Sequence, residues 1–135
     1  MSSLPIFDVA GSAMTAQSVR LNTVASNLAN ANSIAGAPDA VYRAKQPVFS
    51  AEAVGADPAL NGVKITEVRE SEAAPIKRYE PSHPLADAQG YVYAPDIDPV
   101  AQMVDMISAS RSYQANVEVF NTAKELANAT LMMGK

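Results

Sequence analysis

Residues 22–32 read NTVASNLANAN, with four Asn in eleven positions and no charged side chain. Asn is a mediocre helix former, because its amide competes for nearby backbone groups. Val24, Leu28 and Ala31 nevertheless recur at helical spacing. Followed towards the N-terminus, the pattern strengthens. Phe7, Met14, Leu21 and Leu28 stand seven apart, and Ala10, Gln17, Val24 and Ala31 follow each by three. These are the a and d positions of a heptad seam sustained over nearly four repeats, with Gln17 as its polar interruption.

The pattern predicts a helix from about Pro5 to Ala31, with Ser3 as its N-cap and Pro5 in its first turn. Gly36 and Pro38 forbid its continuation. Between Asp8 and Asp39 the single charged residue is Arg20. A surface helix normally turns a charged face to water. Away from its seam this helix offers only Ala, Ser, Thr, Asn and Gln, side chains that suit close packing against other helices. The Asn residues leave two readings open. Asn27 and Asn30 either cap a fraying helix end, or lie between packed helices and fix their axial register through hydrogen bonds.

The other end of the chain carries a matching element. Asp98 is a good N-cap and Pro99 fits the first helical position. Met103, Met106, Ser110, Tyr113, Val117, Phe120, Lys124, Ala127 and Leu131 then alternate in steps of three and four, and no Gly or Pro intervenes before Gly134. Residues 99–133 would form a rod of about 50 Å.

Between Gly36 and Asp98 the chain holds most of its nine Pro and four of its six Gly, so no long helix fits there. Val41–Lys45 and Val48-Phe49 read as extended, and Val63–Val68 alternates as a half-buried strand should. Ile76–Tyr79 and Tyr91–Tyr93 are further short strands, with turns expected at Asn61-Gly62 and Gln89-Gly90. The fold class expected is mainly α with a small β module. Two long terminal helices (residues 1–35 and 99–135) pair as a coiled coil, and a Pro-rich β insert (residues 36–98) loops out between them.

Only 29 of the 135 residues are Leu, Ile, Val or Phe, close to the level at which a chain fails to build a core alone. Two helices cannot enclose a core, so neighbouring copies or sister proteins are expected to complete it. The residues expected at that assembly interface are Phe7, Met14, Leu21, Val24 and Leu28 on the first helix, with Asn27 and Asn30. On the second they are Met103, Met106, Tyr113, Val117, Phe120 and Leu131, with Asn116.

Composition narrows the function further. A net charge of −4 without a basic cluster disfavours binding to nucleic acid or anionic lipid. With no Cys there is no disulfide framework, thiolate metal site or cysteine nucleophile. The start MSSLPIFDVAG lacks the basic and apolar regions of a Sec signal, and residues 21–38 are too rich in Asn, Ser and Thr to enter hydrocarbon. Any passage out of the cytoplasm is expected to take another route.

His83, the single His, has no second and third ligand at useful spacing beyond Asp87, so a turn is the better reading of SHPLAD. Asp96 and Asp98 serve more simply as helix-start carboxylates than as a catalytic pair. No GxSxG, Walker or GxGxxG motif occurs. Neither catalysis nor a cofactor or metal is expected. An enzyme would require a pocket and a stable monomer, which the thin core disfavours; a secretion-needle-like component remains a structural alternative.

Four stretches then become recognisable together. ASNLANANS (25–33) resembles the N-terminal signature of bacterial flagellar rod and hook axial proteins, and SASRSYQANVEVFNTAKEL (108–126) resembles its C-terminal counterpart. VYRAK (41–45) and YEPSHPLADAQGYVYAPDIDP (79–99) resemble the proximal-rod type of that family. Members usually continue the Asn-rich motif directly into Thr-x-Gly-Tyr; here Ser33–Gly36 intervenes and the Tyr arrives at Tyr42. The resemblance implies a non-enzymatic subunit of the flagellar basal-body rod in the periplasm, its terminal helices forming an inner tube with the β module outside. It implies that copies of the chain and neighbouring rod proteins are its partners. It also implies export through the flagellar type III apparatus, without a cleaved Sec signal, nucleic-acid binding or membrane insertion.

Overall fold

The computed structural model describes residues 5–134, so Ser3, the expected cap of the first helix, lies outside the described residues. Helix α1 spans Pro5–Asn30 and helix α2 spans Pro99–Met133. Between them come a 3-10 turn at Pro38–Ala40 and four strands: β1 (Lys45–Ala53), β2 (Asn61–Glu70), β3 (Ile76–Tyr79) and β4 (Tyr91–Ala94). The strands form two separate antiparallel pairs, β1 with β2 and β3 with β4. Two long terminal helices in contact with small two-stranded sheets between them is the expected architecture.

The helix ends follow local chemistry. Asp98 caps α2, its Oδ1 accepting from the Val100 N–H at 2.9 Å, with Pro99 opening the first turn. Helix α1 ends well before Gly36. The Asn30 amide donates back to the Ser26 carbonyl at 2.8 Å, and the Ser33 N–H and hydroxyl both reach the Asn30 carbonyl. Helix termini leave carbonyls unpaired, and these bonds satisfy one of them. Asn30 thus takes the helix-end role.

The helices run antiparallel. Phe7 meets Phe120, Arg20 donates to Asp105, and Asn27 meets Gln102, so rising numbers on α1 face falling numbers on α2. Along the α1 seam Ala10 and Val24 are buried, with Gln17 between, and Ala31 is buried just past the helix end. These are the seam positions three residues after each large apolar residue. On α2 the buried residues are Ala109 and Ala123, each one position before the Ser110 and Lys124 that interrupt the apolar pattern.

The β1–β2 hairpin lies along α1. The start of β1 is beside Asn27 and the start of β2 beside Ser12, about 22 Å of helix apart. At the Ser12 end the Val63 N–H donates to Ser12 Oγ at 3.0 Å, while Ser12 donates to the Val9 carbonyl. Gly62 makes this approach possible, because a Cβ there would lie 2.7 Å from Ser12 Oγ. Asn61-Gly62 is therefore the first part of a strand pressed on a helix, and not the turn that its composition suggests. Likewise, regular pairing begins at Lys45, after the stretch Val41–Ala44 that reads as extended.

The alternation of β2 holds at Val63 and Ile65, which are half-buried, and fails at the exposed Val68. A bulge intervenes: Val48 pairs with Glu67 and Phe49 with Ile65, leaving Thr66 as the extra residue. The β3–β4 pair sits beside the α1 exit, where Ala35 exchanges both backbone bonds with Tyr93 at 2.8 and 2.9 Å. Val92, Ala94 and Pro95 are buried there.

Candidate assembly face

The assembly face follows from what the helices bury in each other and what they leave outside. Gln102, Ala109, Asn116 and Ala123 stand seven apart, and this small-residue and amide line holds both buried residues of α2. Large side chains are excluded where the axes come close. The apolar bulk of α2 is displaced outwards: Val100, Met103, Val104 and Ile107 are each at least half exposed. Their spacing of i, i+3, i+4 and i+7 puts all four on one face.

The residues expected at the interface divide accordingly. Val24 and Asn27 are buried within the chain. Phe7, Met14, Leu21, Leu28, Asn30, Met106, Asn116, Val117 and Phe120 are half-buried. Met103, Tyr113 and Leu131 are exposed, Leu131 to 71%. The Asn116 amide bonds back to the Ser112 carbonyl within its own helix.

Asn27 is 1% exposed and uses its whole amide. Its Oδ1 accepts from the Lys45 N–H at 2.8 Å and the Tyr42 hydroxyl at 3.0 Å. Its Nδ2 donates to the Lys45 carbonyl at 2.9 Å and to Gln102 Oε1 at 3.0 Å. Two lone pairs and two protons are the full capacity of the group. Because the Tyr42 proton goes to Asn27, the 3.0 Å bond between Ser26 and Tyr42 is donated by Ser26. Tyr42, Lys45 and Gln102 are hydrogen-bond partners that the apolar pattern does not reveal. The visible signals are the displaced Tyr and the seven-residue line through Gln102.

In the PSHPLAD loop the His83 imidazole is part of a turn, its Nδ1 accepting from the Leu85 N–H at 3.1 Å. Asp87 organises the next turn. Its Oδ1 accepts from the Tyr91 and Gln89 N–H groups, both at 2.9 Å, and Oδ2 accepts from the Tyr93 hydroxyl. The Tyr91 bond foremost holds the Asp87 carboxyl below its ordinary value, helped by Gln89, Tyr93 and the Lys77 charge against a smaller desolvation penalty. Among the described residues no three His, Asp or Glu side chains gather as metal ligands, and no helix is long and apolar enough to cross a membrane.

A hairpin of the two terminal helices, with a row of apolar side chains exposed along one face of α2 and a β-rich arm beside α1, defines the protein as a helical-hairpin structural protein. Comparison with known proteins gives the particular family. Residues 7–37 match the family described as "Flagella basal body rod protein", and residues 88–133 match "Flagellar basal body rod FlgEFG protein C-terminal". The chain is 57% identical to the flagellar basal-body rod protein FlgC of Escherichia coli O6:H1 and 54% identical to that of Salmonella typhimurium, in both cases over 100% of each chain. It is 44% identical to the FlgC protein of Aquifex aeolicus, over 91% of this chain and 90% of that one. The chain belongs to the FlgC family of flagellar basal-body rod proteins. It is a structural subunit of that rod, from a family without enzymatic activity.

Proposed function

We propose that the chain is a proximal-rod subunit whose paired helices build the inner tube of a helical assembly, with residues 36–98 packed outside it. Copies of the chain and adjacent rod proteins cover its outer helix faces, and the finished rod carries torque from motor to hook across the periplasm. The carrying observation is the exposed quartet Val100, Met103, Val104 and Ile107 on a helix whose inner face is already used by α1. Apolar side chains patterned as one helix face but left in water favour burial against a further helix.

Asn27 serves the assembly by shaping the subunit, since its amide has no capacity left for a neighbour. Half-buried Phe7, Met14, Leu21 and Leu28, with Met106, Val117 and Phe120, contribute the flanks of the interface; Met103, Tyr113 and Leu131 contribute its exposed ridge. Delivery would be through the flagellar type III apparatus, and a chain without Cys suits an oxidising periplasm. The deciding experiment is imaging of purified basal bodies from cells carrying a tagged copy. The tag is expected in the rod segment nearest the motor; a tag confined to the distal rod or hook rejects the reading.

A further inference from the structure

We propose that Asn27 is the positioning residue that locks the arm formed by the β1–β2 hairpin onto the helix pair. Its one amide joins three segments far apart in sequence: α1 itself, the Tyr42–Lys45 lead into β1, and the first turns of α2 at Gln102. The two bonds to Lys45 engage both the N–H and the carbonyl of a single residue, as a neighbouring strand would. They fix the direction in which β1 leaves the helix as well as its position. The Gln102 bond ties the same group to α2, so the arm is referenced to both helices at once.

Apolar burial does not supply this lock. No side chain of β1 or β2 is fully buried, and the one buried position of the hairpin is Gly62. Half-buried Val63 and Ile65 give the hairpin a greasy contact with α1 that tolerates sliding, because hydrophobic attraction has no direction. Hydrogen bonds inside a low-dielectric site are directional and costly to leave unmade. The second polar attachment, the single Val63 N–H to Ser12 Oγ bond, holds position without fixing an angle. The orientation of the arm is therefore set at the Asn27 end. If the chain is a torque-carrying rod subunit, as proposed above, load passes between arm and helix pair through this joint.

Because the chain has no Cys, spin labels can be placed at Asn22→Cys on α1 and Ala51→Cys on β1, both exposed positions. Pulsed dipolar spectroscopy on the full chain then reads the distance distribution between helix and arm. Asn27→Asp keeps the shape and the oxygen that accepts from Lys45 and Tyr42 but loses both donors. Gln102 can turn its amide to compensate, whereas the Lys45 carbonyl cannot. The unsubstituted pair is expected to give one narrow distribution, and Asn27→Asp a broad one with helix content by circular dichroism unchanged.

Tyr42→Phe, which removes the bond to Asn27 Oδ1 together with the one from Ser26 but leaves both Lys45 bonds, should broaden it less; Ser50→Ala, within the hairpin, should not. A narrow distribution in a folded Asn27→Asp chain overturns the proposal, as does a broad one in the unsubstituted pair. Should Asn27→Asp lose its helix content, Tyr42→Phe decides in the same way. The measurement is made on the chain by itself, so it stands or falls separately from the location of the protein in basal bodies.

Discussion

Phe7 and Phe120 meet edge to face across the helix pair, ring centroids 4.9 Å apart and planes at 65°, linking the first turn of α1 to the second half of α2. No other aromatic pair joins the two helices among the described residues. Both rings are half-buried, so less than the full cost of truncating a core aromatic applies. Phe120→Ala should destabilise the chain by about 2 kcal/mol. In a double-mutant cycle with Phe7→Ala, the second substitution should cost about 1 kcal/mol less than it does alone. Strictly additive losses in urea unfolding would show that the contact contributes nothing of its own.

Gln17 is the polar interruption of the α1 seam, and its Oε1 is sealed from solvent without a hydrogen-bond partner among the described residues. An unpaired buried acceptor is a net cost. Gln17→Met keeps the length of the side chain and removes that cost, so it should raise stability by about 1 kcal/mol. An unchanged or lower unfolding midpoint would mean that the amide is satisfied in solution.

Gly62→Ala tests the seat of the hairpin on α1. The new Cβ would lie 2.7 Å from Ser12 Oγ and 3.1 Å from Val54 Cγ2. Ser12 must rotate, giving up its bond from the Val63 N–H, at a cost of about 1–3 kcal/mol. Adding Ser12→Ala removes the offending oxygen and should recover part of that loss. If Gly62→Ala is harmless by thermal unfolding, the hairpin does not press on α1 as closely as described.

Asp87 makes the β3–β4 turn sensitive to acid. Its carboxyl is held below the usual value in the folded chain, chiefly by the Tyr91 N–H, so folding favours the ionised form. The stabilisation is complete above the ordinary carboxylate value of about 4 and disappears as pH falls through the lower, folded one. Amide exchange at Gln89 and Tyr91, followed by NMR from neutral pH downwards, should show protection lost in that window. Asp87→Asn should have weaker protection at neutral pH and no such transition. An identical acid transition in the variant would trace it to another group.

Met103→Asp separates stability from assembly. Met103 is 50% exposed, so a carboxylate there should change the stability of the isolated chain by no more than about 0.5 kcal/mol. In an assembled rod the same carboxylate would face an apolar neighbour, with a penalty of several kcal/mol if unpaired. Cells should make the protein yet fail to swim. Normal motility would remove the outer face of α2 from the interface.

The sequence by itself determined the elements and their order. Heptad spacing from Phe7 to Ala31, the Asp98-Pro99 start of α2 and the Gly and Pro in between are local signals, and helices and breaks form from local causes. The nearly charge-free character of α1 was legible too, and α2 and the β1–β2 hairpin cover part of that helix. Only the tertiary structure decided which face does what. The α2 line that meets α1 is Gln102, Ala109, Asn116 and Ala123, one position away from the apolar pattern, because close-set axes select for small side chains and not for hydrophobic ones. The fate of the two Asn was likewise beyond pattern reading. Asn30 closes the helix on itself, while Asn27 finds Tyr42, Lys45 and Gln102, up to 75 positions away. A hydrogen bond requires a partner at the right distance and angle, and nothing along the chain encodes that until the fold has brought the partner there.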